Sequence, residues 1–164
     1  MNEESQSTGG PLTGWTNGDK EENKKFGNVL KRIDQKKAIR KLPELSDKAF
    51  KKFNCLDCGN CCRNYSPRFK TPDIKRIAKV LKVKEGELIE KYLRLDDEGD
   101  YVTSVSPCPF LEKENRCSIY EDRPSDCRRF PYTGEDVFVK RPRITLKNVT
   151  FCPIAHDVMK QLSE

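Results

Sequence analysis

The chain has 164 residues and a net charge of +6, with 35% hydrophobic and 35% charged residues. The length fits one domain with tails. The charged fraction is well above the roughly 25% of an average globular protein, so the apolar core must be modest. The longest uninterrupted apolar run, Val137-Phe138-Val139, is far too short to span a membrane, and the first residues lack the apolar stretch of a signal peptide, so we expect no membrane span and a cytoplasmic location.

Residues 1–25 are predicted to be a disordered tail. After Met1, Leu12 and Trp15 are the only large apolar side chains in this segment, where they lie among glycines and polar residues. Ordering such a segment would bury too little apolar surface to offset the lost chain entropy.

Residues 26–43 are predicted to form a basic amphipathic helix or linker. Apolar residues from Phe26 to Ile33 recur at helical spacing, the segment 20–41 carries a net charge of +6, and Pro43 marks the expected end. Such a helix could contact nucleic acid, an acidic partner protein or anionic lipid. We favour a solvated helix that packs its apolar stripe on the core, because no ladder of aromatic residues for base stacking accompanies the charges.

The remaining residues, 44–164, are predicted to form the folded domain. Thr71-Pro72-Asp73 is typical of a helix start, with a capping hydroxyl, a proline in the first turn and an acid at the positive end of the dipole. A second short helix is predicted around residues 86–93 from its apolar spacing.

Two later segments contain short β-prone pieces, residues 101–106 and 138–151. Prolines are frequent in this half of the chain and limit regular sheet. We therefore expect few and short strands.

Eight cysteines carry the strongest functional signal. Three successive cysteines are spaced by two residues, which lets tight turns direct neighbouring sulfur atoms at one ion. In a chain without an export signal, such thiols stay reduced and indicate metal binding rather than disulfides. We predict that all eight form one pool of metal ligands: Cys55, Cys58, Cys61, Cys62, Cys108, Cys117, Cys127 and Cys152.

The division of this pool stays open from the sequence. Cys61 and Cys62 are adjacent, and because neighbouring side chains diverge, one ion does not easily take both. Two centres of four thiolates each, or one centre with the other thiols left for redox chemistry, both fit. Zinc and iron–sulfur clusters use the same four-thiolate chemistry, so the cofactor is either zinc or iron, including an iron–sulfur cluster. With so many thiols, we do not expect His156 to be a ligand, although it lies four residues after Cys152.

A structural zinc ion supplies about 10–16 kcal/mol, comparable to the whole net stability of a small domain. We therefore predict an α+β fold class: a small, irregular, metal-stabilised domain with short helices and few short strands, preceded by the basic helix and the disordered tail. Residues 54–155 are expected to lose their tertiary structure when the metal is removed.

The ordered set of motifs resembles the cysteine-cluster family with the CxxCxxCC signature, whose members are described as zinc- or iron-chelating and include the flagellin lysine N-methylases. The resemblance covers residues 54–155 and implies a metal or iron–sulfur site; for the methylase members it implies methyl transfer to protein lysine. The matching blocks are Cys55 to Cys62, Cys108-Pro109-Phe110-Leu111, Cys117 to Pro131, and Cys152-Pro153.

The chain has no G-x-G loop for a nucleotide-like cofactor and no P-loop. We predict a cytosolic metal-binding protein, leave open whether it is an enzyme, and name no catalytic residue. One alternative is an iron–sulfur oxidoreductase, or an auxiliary of protein modification similar to lysine methylation. Another is an interaction module that uses the basic N-terminal helix to bind a protein partner, with nucleic acid the less favoured partner.

Overall fold

The computed structural model describes residues 12–164; the first part of the predicted disordered tail, residues 1–11, lies outside the described residues. The described chain forms two compact units. Residues 12–13 and 56–130 form the first, which we call the cysteine unit, and residues 14–55 and 131–164 form the second, the helical unit. The predicted domain boundaries at residues 25 and 43 stay predictions.

The secondary structure is mostly helical, with one two-stranded sheet, so the predicted α+β class is confirmed. Among the described residues, no helix has the length and apolar character needed to cross a membrane. In chain order, the elements are α1 (Lys20–Arg32), α2 (Gln35–Lys52), α3 (Asn60–Asn64), α4 (Thr71–Leu81), α5 (Glu85–Tyr92), β1 (Leu93–Leu95), β2 (Tyr101–Thr103), α6 (Ser125–Arg129), α7 (Val137–Lys140), α8 (Pro142–Asn148) and α9 (Pro153–Leu162).

In the helical unit, the predicted basic helix is divided into two. Helix α1 begins earlier than expected, because the Asp19 carboxylate accepts a hydrogen bond from the Glu22 N–H and caps its first turn. It ends at Arg32, and Asp34 then caps α2 in the same way by accepting from the Lys37 N–H at 3.1 Å. The segment expected to be disordered up to residue 25 thus includes the first turns of α1.

The predicted helix end near Pro43 is wrong, because Pro43 lies inside α2. A proline in a helix interior removes one backbone hydrogen bond. The apolar period nevertheless continues past it, and α2 buries Leu42 before the proline and Ala49 after it. Burial of this stripe outweighs the local cost of the proline.

The β-prone interpretation of residues 138–151 is also wrong, because this segment forms most of α7 and α8. Pro142 occupies the first turn of α8, where a proline costs no hydrogen bond. The Thr145 hydroxyl donates to the Phe138 carbonyl oxygen at 2.6 Å, so a β-branched residue is accommodated inside a helix.

In the cysteine unit, the two predicted helices are confirmed within one or two residues as α4 and α5. Strand β2 pairs antiparallel with β1, and the acidic turn between them closes on Asp96, whose carboxylate accepts from the N–H groups of Glu98 and Asp100. The α4, α5 and hairpin segments enclose an apolar core, and Cys108 and Cys117 pack against its edge. The core residues are Phe69, Ile74, Ile77, Ala78, Leu88, Leu93, Phe110 and Ile119.

Candidate metal centre

The first cysteine motif contains a tight turn at Cys58-Gly59-Asn60. Gly59 has φ +60°, a left-handed conformation that side chains other than glycine rarely adopt. This turn directs the backbone N–H of Asn60 to the Cys58 sulfur at 3.4 Å. A Cβ atom added at Gly59 would collide with the side chains of Asn115 and Arg63, so both the backbone and the available space require glycine.

Burial is the largest effect on the Cys58 thiol and raises its pKa. The Asn60 N–H and the positive charge of Arg63 oppose this shift, since both favour the thiolate. The turn therefore supplies one backbone donor to the sulfur, and the nearby Arg63 adds a positive charge that favours the thiolate.

Cys61 and Cys62 follow in the short helix α3. The pKa of Cys62 is raised, first by a hydrogen bond with Cys61 and then by burial. The Cys62 carbonyl oxygen accepts a hydrogen bond of 2.7 Å from the backbone N–H of Cys108. This bond fixes the first cysteine motif against the second.

The loop from Cys108 to Cys117 folds back on itself. Leu111 and Cys117 form an antiparallel bridge, and the Ser118 N–H donates to the Phe110 carbonyl oxygen at 2.8 Å. Burial raises the pKa of Cys108 to about 11, although hydrogen bonds from the N–H groups of Phe110 and Leu111 act in the opposite direction. The Cys108 turn thus repeats the arrangement at Cys58, with backbone donors facing a sulfur atom.

Cys127 lies in helix α6 and is the most strongly coupled of these thiols. Burial raises its pKa, and the charges of Cys62, Cys108 and Cys117 raise it further. Cys62 and Cys117 also raise the pKa of Cys108, and Cys62 raises that of Cys117. These effects indicate that four thiols lie near one another, and we call them the thiol quartet: Cys62, Cys108, Cys117 and Cys127.

An ion pair next to Cys127 positions helix α6. The Asp126 side chain is only 1% exposed and accepts from the Arg68 backbone N–H at 3.1 Å and from its guanidinium at 3.0 Å. Burial alone would raise the pKa of Asp126, but the Arg68 hydrogen bonds outweigh it, and the pKa is lowered. Tyr65 donates a further hydrogen bond to the same carboxylate.

A second buried carboxylate fixes the chain just before α6. Asp73, in the first turn of α4, accepts from the backbone N–H of Ser125 at 3.2 Å and from the Arg76 guanidinium at 2.9 Å. The same guanidinium donates to the carbonyl oxygens of Asp122 and Arg123. The two residues before Cys127, Ser125 and Asp126, are therefore both held by hydrogen bonds to or from charged groups.

The arginines beside the cysteines differ in what they contact. Arg63 favours the thiolates of Cys58 and Cys62, and Arg123 favours that of Cys117. In contrast, Arg116 pairs with the exposed Glu114. Arg128 donates to the backbone carbonyl oxygens of Glu121 and Arg123.

Two predicted ligands lie in the helical unit. Cys55 is exposed, whereas Cys152 is buried just before α9. His156 lies in α9, where its Nε2 is 3.0 Å from the Glu22 carboxylate and its ring contacts Trp15 and Phe26 edge-on. All eight cysteines are thiols.

The four thiols of the quartet lie near one another, but their sulfur atoms do not form a coordination shell. Within residues 12–164, no three Cys, His, Asp or Glu side chains are already arranged to hold an ion. Neutral thiols do not attract one another to a common point, and the raised pKa values favour the neutral form. The donor chemistry nevertheless fits a soft ion such as zinc or iron: four thiols, backbone N–H groups that face sulfur, and two arginines that favour thiolate.

Sequence reasoning missed the residues that shape the site. Asn115 has φ +59°, and its side-chain amide donates to the Leu56 carbonyl oxygen at 2.8 Å and to the Thr13 hydroxyl at 3.1 Å. No local pattern indicates this role. The only sequence signal for Asp126 is its position directly before the predicted ligand Cys127. If this carboxylate is buried, it needs a partner that neutralises it.

A known family accounts for this arrangement of cysteines. Residues 54–153 match the CxxCxxCC family, described as "Putative zinc- or iron-chelating domain". Because the match covers more than half of the chain, the protein belongs to this family, and the predicted resemblance is confirmed.

A curated relative is similar to part of the chain. The chain is 33% identical over 97 residues to the uncharacterized protein MJ0661 of Methanocaldococcus jannaschii, which is 57% of this chain. The match spans half the length of that relative. No solved structure matches the chain.

Proposed function

We propose that this protein binds a zinc or iron ion, or an iron–sulfur cluster, through the thiolates of the quartet. The observation that carries the proposal is the main-chain contact between the stretches that supply these thiols: the Cys108 N–H donates to the Cys62 carbonyl oxygen at 2.7 Å, and Leu111 and Cys117 form an antiparallel bridge. Cys127 lies near them, since the charges of the other three thiols raise its pKa. Membership of a family of chelating domains supports it independently.

The remaining cysteines are proposed as further members of the ligand pool. Cys58 and Cys61 adjoin Cys62 through charge and hydrogen bonding, so they are the candidates for a second group of ligands in the same unit. Cys55 and Cys152, in the helical unit, stay predicted ligands. A cytosolic location is part of the proposal, because a reducing compartment keeps such thiols available for metal.

Charge balance explains why the arginines matter. Four thiolates around one divalent ion leave an excess of about two negative charges. Arg63 and Arg123 lower the pKa values of quartet thiols and offset this excess without entering the coordination shell.

The test is to purify the protein without air and to measure zinc and iron per chain in the wild type and in two variants. Cys127→Ser removes a quartet ligand, and Lys140→Met, which changes an exposed side chain of the helical unit, is the control. The proposal predicts that wild type and Lys140→Met retain metal and that Cys127→Ser loses it. A brown protein indicates iron–sulfur and a colourless, zinc-containing one indicates zinc; a folded wild type with neither metal contradicts the proposal.

A further inference from the structure

The exposed face of α2 is strongly basic. Over its 18 residues it presents only two acidic side chains, Glu44 and Asp47. Seven exposed cations share this face: Lys36, Lys37, Arg40, Lys41, Lys48, Lys51 and Lys52.

The opposite face of α2 is fixed in the core of the helical unit. Ala38, Leu42 and Ala49 are buried, and the Ser46 hydroxyl lies 2.7 Å from that of Thr133. The helix therefore cannot rotate its basic face inward. Its apolar stripe is also not available for insertion into a lipid surface.

Local acids neutralise only the C-terminal part of this face. Lys48 pairs with Glu44 at 2.8 Å, and Lys52 pairs with Asp157 at 2.9 Å. Four cations in the first two turns of α2 have no ion pair with any described residue, and we call them the basic cluster: Lys36, Lys37, Arg40 and Lys41.

The spacing within the basic cluster is unfavourable for the isolated helix. Lys36 and Arg40, and likewise Lys37 and Lys41, are like charges at i and i+4, and such pairs destabilise a helix. Asp34, the nearest acid before the cluster, uses its carboxylate to cap α2, and Glu44, the nearest acid after it, pairs with Lys48. An external anion would relieve this repulsion.

We propose that the basic cluster binds the phosphodiester backbone of nucleic acid. Protein–protein interfaces are poor in lysine and have apolar cores, whereas nucleic-acid interfaces are rich in positive charge. The cluster is made only of cations, with three lysines and one arginine, so its composition favours phosphate over an acidic protein. This inference does not depend on the proposed metal centre.

The contact is expected to be independent of base sequence. Phosphate contacts position a protein on nucleic acid, while bases are recognised by groove contacts or by stacking on aromatic residues. The basic cluster contains no aromatic side chain. Binding should therefore be governed by the release of counterions from the phosphates.

The test is fluorescence anisotropy of the full-length protein, as purified without air, with a labelled RNA strand of about 20 nucleotides, longer than the ~27 Å of α2. A DNA duplex of the same length separates the two sources of phosphate. If the four cations each neutralise one phosphate, duplex affinity should fall about 100-fold between ~50 and ~200 mM salt.

Two variants with equal net charge make the test specific. K36Q/K37Q/R40Q/K41Q neutralises the basic cluster, and K75Q/K79Q/K82Q/K84Q neutralises four exposed lysines of the cysteine unit. The proposal predicts at least a tenfold loss of affinity for the first variant and a change of less than about threefold for the second. Metal content and thermal melting confirm that both variants are folded.

Three outcomes overturn the proposal: affinity that does not respond to salt, equal loss in both variants, and competition by polyglutamate as effective as that by nucleic acid of equal charge. The last would assign the surface to acidic proteins. Tighter binding of either RNA or DNA identifies the preferred source of the phosphodiester and upholds the proposal.

Discussion

The backbone N–H of Cys108 donates a hydrogen bond of 2.7 Å to the carbonyl oxygen of Cys62. The two cysteines are far apart in sequence, yet this bond places the CxxCxxCC motif beside the Cys108-Pro109 turn. Because it involves only main-chain atoms, it holds the two motifs together whatever their sulfur atoms bind. The main chain of the folded protein therefore holds these two ligands close together.

Removal of the metal should loosen the cysteine unit more than the helical unit. The cysteine unit has only short elements around its apolar core, whereas α1, α2 and α9 bury Leu30, Leu42 and Val158 in a core without a quartet thiol. Structural zinc supplies about 10–16 kcal/mol. A chelator should therefore remove the protection of the backbone amides in residues 56–130, so that they exchange rapidly. Exchange measured peptide by peptide, with the helical unit as internal reference, checks this.

Equal loss of protection in both units would contradict the quartet assignment. Unchanged protection throughout would show that metal contributes nothing to the fold.

Gly59→Ala should damage the Cys58 turn. The left-handed conformation costs an alanine about 1–2 kcal/mol, and the added methyl group collides with Asn115 and Arg63. We expect a loss of stability of at least that size, measured by urea unfolding of the metal-loaded protein.

Gly86→Ala is the matched control for this substitution. Gly86 lies in α5 with nothing within 4 Å of an added Cβ, so alanine there should stabilise the protein by about 0.5–1 kcal/mol. Similar effects of the two substitutions would show that the Gly59 turn is not constrained as described.

Arg68→Met should destabilise the cysteine unit by about 1–3 kcal/mol, because it leaves the Asp126 carboxylate buried without its charged donor. The comparison is Lys140→Met, which breaks the exposed pair with Asp136 and should cost about 0–1 kcal/mol. Chemical denaturation gives both values. If the two costs are equal, Arg68 does not position α6.

The sequence was sufficient to predict membership of the chelating family and the helices that have strong local signals. Helix α4 begins one residue before the predicted start, with Lys70 rather than Thr71 at the N-cap position, and α5 lies within one residue of its predicted range. These features depend on neighbouring residues alone. The family membership likewise follows from the spacing of the cysteines.

Features that depend on distant partners could not be predicted. The bond from Asn115 to Leu56 and the pairing of Arg68 with Asp126 join residues about sixty positions apart. Pro43 was misjudged for a related reason, since burial of the α2 stripe outweighs a local penalty. Which thiols form the quartet likewise depends on the long-range fold.

Metal binding should release protons and strengthen as pH rises. The raised pKa values, about 11 for Cys108, mean that the quartet thiols hold their protons at neutral pH in the metal-free protein. Thiolate is the ligand, so each proton displaced raises the apparent affinity about tenfold per pH unit below the thiol pKa. Calorimetric titration in buffers of different ionisation enthalpy should give about four protons per ion for a quartet site. Release of fewer than about two protons would contradict four-thiol ligation.

X-ray absorption at the zinc or iron edge of the protein purified without air tests the central claim most directly. Four thiolates around zinc predict a first shell of four sulfur atoms at about 2.3 Å. An iron–sulfur cluster would add an iron neighbour to the sulfur shell. A first shell of nitrogen and oxygen alone would contradict the account.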